Sequence, residues 1–136
     1  MSAPWHANFP AGKSNPPEIS AAELAALSGP GKEYIVVDVR RTDIDEPDAK
    51  TMHPAAINLP AQTFYPTVPN SAPLLKNIPK VVFHCNSCKP GGRGPRCAAW
   101  YQDYLDENGI KSSQALVLKG GYKAWAAEFP DRVVKL

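Results

Sequence analysis

Three short runs of this chain read as strands: YIVVDV at 34–39, almost wholly apolar and β-branched, KVVFH at 80–84, apolar and rich in β-branched residues, and the apolar ALVL at 115–118. Such runs keep no polar face for water, so they fit strands of a sheet covered on both sides. AINL at 56–59 is a shorter strand of the same kind. Between the strands lie helical patterns. Ser20 to Ser28 opens with Ser20 and Glu23 at capping-box spacing, carries Leu24 and Leu27 on one face, and stops at Gly29-Pro30-Gly31. A second helix begins at Pro95, where a first-turn proline is tolerated, and ends at Asn108-Gly109. A third covers Tyr122 to Phe129, with Trp125 and Phe129 on one side. Alternating strands and helices predict an α/β fold, a central mainly parallel sheet of about five strands with helices on both faces. In such sheets the working site lies at the carboxyl ends of the strands.

The remaining segments are less regular. Residues 1–17, rich in Pro, Ala and Asn, are expected to form an extended arm pinned by Trp5 and Phe9, with residues 18–136 as the single domain. Arg41 to Pro54 is a polar connection, Gln62 to Asn70 an expected loop bearing Phe64 and Tyr65, and Ser71 to Asn77 a short helix. The fifteen prolines read as loop stiffeners. The tail from Val133 is left undecided.

Length and charge exclude several classes. A chain of 136 residues suits one core, and a net charge of +2 without basic runs gives no reason to expect nucleic acid or membrane partners. No apolar stretch is long enough to span a bilayer. The opening MSAPWHANFP lacks signal-peptide regions. Three cysteines make a poor disulfide framework, so a reducing, cytoplasmic setting is expected, with thiols kept reduced.

The chemistry concentrates in KVVFHCNSCKPGGRGPRCAAWYQDYL, 80–105. A strand runs into a Cys- and Gly-rich loop, and the loop runs into a helix. Backbone N–H groups converge at such a loop, and the helix dipole favours negative charge there. A cysteine opening it has its thiolate stabilised, which makes Cys85 the nucleophile candidate. Arg93 can grip an oxyanion with paired donors. Asn86, Ser87, Cys88, Lys89, Gly91, Gly92, Gly94 and Arg96 complete the candidate substrate-binding loop, with Arg96 supporting it from outside. The plainer alternative is a core cysteine beside a glycine turn. Asp38 inside a strand, with Arg40 and Arg41 following, reads as a structural clamp. His53 is expected to orient a neighbouring loop. His84 should point away from Cys85, because side chains alternate along a strand.

Several of these stretches together resemble the rhodanese family. YIVVDVRR resembles its Asp-Val-Arg signature, HPAAINLP its histidine-bearing stretch, and LKGGYKAW its closing Gly-Gly-aromatic motif. His84-Cys85 followed by Arg93-Gly94-Pro95-Arg96 is similar to the loop of the cell-division-cycle dual-specificity phosphatases and the fungal arsenate reductases, which share that fold. The resemblance implies a cysteine-dependent enzyme without a cofactor. It would pass through a persulfide, a phosphocysteine or an arsenic adduct on Cys85. Its partners would be a small anion (thiosulfate, a phosphate ester or arsenate) and a thiol acceptor or reductant.

Family sulfurtransferases place fewer residues between Cys and Arg than the phosphatases and reductases do. Here seven residues separate Cys85 from Arg93, a gap longer than either. Cys88, with only four residues between it and Arg93, is the other candidate nucleophile or a resolving thiol for Cys85. Cys97, inside the helix, is expected to pack. A phosphatase needs a general acid that the loop lacks, so one would have to come from Asp43 or Asp45. Sulfur transfer needs none and is placed first, ahead of phosphatase or arsenate reductase. Two further readings compete: a zinc module using the Cys85-x-x-Cys88 pair, and an inactive rhodanese-like binding domain.

Overall fold

The structure is a computed structural model and describes residues 4–41, 50–87 and 91–136. Among them, five strands form one sheet in the order β1-β6-β5-β2-β4: Glu18–Ile19 (β1), Gln114–Leu118 (β6), Lys80–His84 (β5), Tyr34–Asp38 (β2) and Ala56–Asn58 (β4). Every neighbouring pair is parallel. Thr51–Met52 (β3) and Val134–Lys135 (β7) pair antiparallel outside it. The undecided tail is therefore a small strand. No helix among the described residues is long and apolar enough to cross a membrane.

Alternation along the central strands builds two cores. Val37, Val81, Phe83, Ala115 and Val117 face one side, under helices Ala61–Leu75 (α2) and Arg93–Glu107 (α3). Val36, Val82 and Leu116 face the other, under Ala21–Ala25 (α1) and Gly121–Glu128 (α4), where Leu24 and Trp125 are fully buried. The first helix carries the expected capping box: Glu23 N–H donates to Ser20 Oγ and Ser20 N–H to Glu23 Oε1, both at 3.0 Å.

Two expectations need correction. The loop at Gln62–Asn70 and the short helix at Ser71–Asn77 are instead one fifteen-residue helix, α2, which contains Pro66, Pro69 and Pro73. Prolines deprive a helix of N–H donors, which is why the sequence suggests a loop. All three are exposed here, so water can serve the deprived carbonyls, while Ala61, Phe64, Val68, Ala72 and Leu75 bury one continuous stripe. Burial of that stripe outweighs propensity. The helix expected from Pro95 begins two residues earlier, at Arg93, with extended Gly92 as its N-cap. Pro95 is its third residue, still among the positions whose N–H has no intrahelical partner.

The N-terminal residues lie along α3. Trp5 and Phe9 meet Trp100 edge-on, with ring centroids 6.0 and 5.8 Å apart. Trp100 Nε1–H donates to the Pro10 carbonyl at 2.9 Å. The Lys13 and Ser14 N–H groups donate to the Asp103 carboxylate at 2.8 and 2.9 Å. The chain then enters the sheet as β1, which the sequence reading does not anticipate.

Candidate functional site

Cys85 directly follows β5 at the carboxyl edge of the sheet and is buried in the core under α2 and α3. His84, one residue earlier, is turned to the opposite face, where its ring stacks on Tyr122 at 5.6 Å. Strand alternation alone separates the two side chains.

The start of the loop is held by α4. Tyr122 N–H donates to the Cys85 carbonyl, and Lys123 N–H to the Asn86 carbonyl, both at 3.0 Å. In a trans peptide the N–H points opposite to the C=O. The N–H groups of Asn86 and Ser87 therefore point away from α4. Gly121, at φ +63°, makes this docking possible. A Cβ there would stand 2.6 Å from the Asn86 carbonyl oxygen and 2.8 Å from Ser87 N.

At the far end of the loop Gly91 takes φ +75°, a conformation only glycine adopts readily. Gly92 caps α3, and Arg93 is its first residue, half-buried, at the positive end of the helix dipole. Gly94 is buried. Arg96 Nε–H donates to the Gly91 carbonyl at 2.8 Å and props the loop end from outside. Cys97 packs in the same core as Cys85, fully buried. Burial, joined by the negative charge Cys85 carries when ionised, pushes its thiol far above the usual range, and the Arg93 charge only partly opposes this. Cys88 and Lys89, and the acid candidates Asp43 and Asp45, lie outside the described residues.

Behind the loop is a buried charge cluster. Arg40 Nη2–H donates to Asp38 Oδ2 at 2.6 Å and to the Thr51 carbonyl at 2.8 Å, and neither Asp38 nor Arg40 has exposed surface. The Arg40 guanidinium lies 4.2 Å over the Tyr122 ring, and Tyr122 Oη is 2.5 Å from Thr51 Oγ1. Asn58 Nδ2 donates to the carbonyls of Asp38 and Arg40, both at 2.9 Å, fixing the turn after β2. His84 Nδ1 lies 2.9 Å from the Cys85 carbonyl, so Nδ1 carries the proton. Nε2 is then a bare lone pair, 4.0 Å from Asp38 Oδ2, with no hydrogen-bond partner among the described residues. Burial pushes this imidazole below its ordinary pKa, against the opposing pull of Asp38 and the Cys85 carbonyl. It is neutral at pH 7 and buttresses the loop from below.

His53 takes part in different contacts. Its Nδ1 accepts from Ala55 N–H at 2.9 Å, and its ring sits 4.3 Å from Trp125. Burial, and then the charges of His84 and Arg132, pushes its pKa down to about 4. It orders the approach to β4 and the underside of α4. Among the described residues no group of three His, Cys, Asp or Glu side chains could hold a metal ion.

Sequence reasoning missed Gly121, Tyr122, Thr51 and Asn58 as parts of the site's frame. The Gly120-Gly121 pair was the available signal. A Gly-Gly pair by itself reads as a turn, whereas Gly121 is where one backbone lies against another.

Fold and loop thus define an α/β domain that presents a cysteine at the end of a central strand, before the N-terminus of a helix. The rhodanese-like domain model matches residues 20–128, and the chain belongs to that family. It is 31% identical over 110 residues to arsenate reductase 2.1 of Oryza sativa subsp. japonica, an alignment spanning 79% of this chain and 65% of the rice protein. It is 32% identical over 115 residues to arsenical-resistance protein 2 of Saccharomyces cerevisiae, covering 77% of this chain and 83% of the yeast one. Among solved structures it superposes on the As-Sb reductase from Leishmania major with a TM-score of 0.70 and 23% identity, over 90% and 88% of the two chains.

Proposed function

We propose that this chain is a cysteine-dependent reductase of arsenate, with Cys85 as nucleophile, Arg93 and the loop amides as the oxyanion holder, and a thiol as reductant. The observation that favours arsenic is the similarity to the rice and yeast proteins, which are named for arsenate reduction and arsenical resistance. It reverses the order expected from the sequence, which placed sulfur transfer first. The geometry suits the chemistry. The Cys85 and Asn86 carbonyls face α4, so the Asn86 and Ser87 amides face the other way, where they can serve an anion, and Arg93 adds its charge at a helix N-terminus.

The Cys85 thiolate attacks arsenic, and one arsenic–oxygen bond breaks, an arsenate hydroxyl leaving as water with a proton taken from solvent. An external thiolate then attacks the Cys85 sulfur. The sulfur–arsenic bond breaks and its electron pair stays on arsenic, which falls from As(V) to As(III) and leaves as arsenite. A second thiol reduces the mixed disulfide, regenerates the Cys85 thiolate and departs as the symmetric disulfide. Two thiols supply the two electrons.

One observation favours sulfurtransfer as a second reading. Among the described residues, the carboxylate and imidazole nearest the end of β5, Asp38 and His84, belong to the sheet face opposite Cys85. A thiosulfate substrate, whose sulfite leaves as an anion, needs no proton donor. The test is to assay glutathione-dependent arsenate reduction, thiosulfate-to-cyanide transfer and aryl-phosphate hydrolysis side by side, with Cys85→Ser and Cys88→Ser. Arsenite formation that is lost in Cys85→Ser is the expected outcome. Thiocyanate formation alone would select the second reading, and activity surviving Cys85→Ser would remove the nucleophile.

A further inference from the structure

The N-terminal arm does more than lie on α3. Its residues Ser14 and Asn15 form one wall of a cleft of about 230 Å³, and Gly91, Pro95 and Arg96 form the other. One wall is thus the end of the Cys85 loop and the first turn of α3. The arm wall is fixed rather than trailing. Two backbone N–H groups bind the Asp103 carboxylate, and Gly12 sits so close to Ala99 that an added Cβ would overlap its methyl group at 2.5 Å.

Arg96 is the charged group of this cleft. Its Nε is engaged by the Gly91 carbonyl, which presses the guanidinium against the loop. Its terminal nitrogens have no hydrogen-bond acceptor among the described residues. Among the described residues no carboxylate lines the cleft, whereas Asn15 and Ser14 offer neutral polar groups. A half-buried, pre-positioned guanidinium in such a setting selects a carboxylate.

The geometry points to this cleft as the subsite for the reducing thiol, taking a small peptide thiol whose carboxylate sits at Arg96 between the arm and the loop. This rests on the thiol-dependent chemistry proposed above. Reach supports it. Arg96 lies about one helical turn, roughly 5 Å, from the start of α3, and a three-residue peptide extends to about 10 Å. A sulfhydryl can therefore meet the loop while its carboxylate stays on Arg96. The arm then sets which thiol is accepted, by charge and by length.

The experiment uses the full chain and places charges on the arm, away from the loop. Asn15→Glu and Asn15→Lys are compared with the parent for the KM of glutathione and of the neutral 2-mercaptoethanol in arsenate reduction. A single charge about 7 Å away in water-like surroundings changes affinity by about threefold. Asn15→Glu is expected to raise the glutathione KM by about threefold and Asn15→Lys to lower it similarly, with the 2-mercaptoethanol KM unmoved in both. Equal KM values in all three proteins, or parallel changes with both thiols, would overturn the subsite. So would reduction supported by a thioredoxin-type protein but not by glutathione. The second measurement needs no turnover: amide NMR shifts on adding unreactive S-methylglutathione. Saturable shifts at Ser14, Asn15, Gly91 and Arg96 support the cleft even if the chain proves inactive on arsenate. Their absence overturns it even if the chain is an active reductase.

Discussion

The backbone N–H of Tyr122 donates to the carbonyl of Cys85 across 3.0 Å, joining the first turn of α4 to the first residue of the loop. That bond depends on Gly121, whose Cα lies against the Asn86–Ser87 peptide.

Gly121→Ala is therefore expected to do two kinds of damage. The left-handed backbone costs about 1–2 kcal/mol once a Cβ is present, and the added carbon also displaces the loop. Activity through Cys85 should fall more than tenfold. Gly31→Ala is the control, since Gly31 has φ +82° but open space around it. It should lower the urea midpoint without touching activity. Equal activity losses in the two variants would show that the loop is not seated through Gly121.

The Asp38–Arg40 pair is expected to behave as a buried ion pair. Asp38→Asn leaves Arg40 charged with no exposed surface, and breaking such a pair costs about 3–5 kcal/mol. Urea unfolding monitored by tryptophan fluorescence measures this. Asp38→Leu combined with Arg40→Met should recover much of the loss, because both buried charges are removed together.

Cys97 is expected to be chemically silent in the native state. Its thiol is fully buried and held far above the ordinary pKa by that burial. Iodoacetamide at pH 8 followed by peptide mapping should label Cys97 only after unfolding, and Cys97→Ala should keep activity within about twofold. Native labelling of Cys97 at the rate of Cys85 would contradict its packing role.

Two buried histidines make the fold acid-sensitive in a defined window. Both His53 and His84 have folded pKa values below their unfolded value of 6.5, His53 at about 4. The unfolded chain therefore takes up their protons first, so stability is present above pH 6.5 and is lost as pH falls towards 4. For His53 alone the loss between pH 7 and pH 5 is roughly 2 kcal/mol. His53→Asn, which keeps an acceptor for Ala55 N–H, should flatten that part of the urea-midpoint profile. An unchanged slope would place the proton uptake elsewhere.

Much of this was legible in the residues because each cue was local. Apolar β-branched runs gave β2, β5 and β6, Ser20 with Glu23 gave the start of α1, and strand alternation placed His84 opposite Cys85. What stayed hidden depends on contacts between distant residues. The α2 helix carries three prolines whose cost is offset only once its stripe meets the sheet. Two-residue β1 exists only because β6 offers an edge. Gly121 reads as a turn until the Asn86 carbonyl is beside it. Likewise, no periodicity shows that the arm and the first turn of α3 form one cleft.

The pairing of β1 with β6 also has a bearing on biosynthesis. β1 leaves the ribosome well before β6, its hydrogen-bonding neighbour, and the peptide groups that seat Cys85 are in α4, later still. A partly made chain can fold neither its edge nor its thiol loop. At typical translation rates of about 5–20 residues per second, the sulfur spends seconds without its backbone seat. Nascent chains stalled before Gly121 should react with iodoacetamide at Cys85 with the rate of an unfolded thiol rather than the rate of the finished protein.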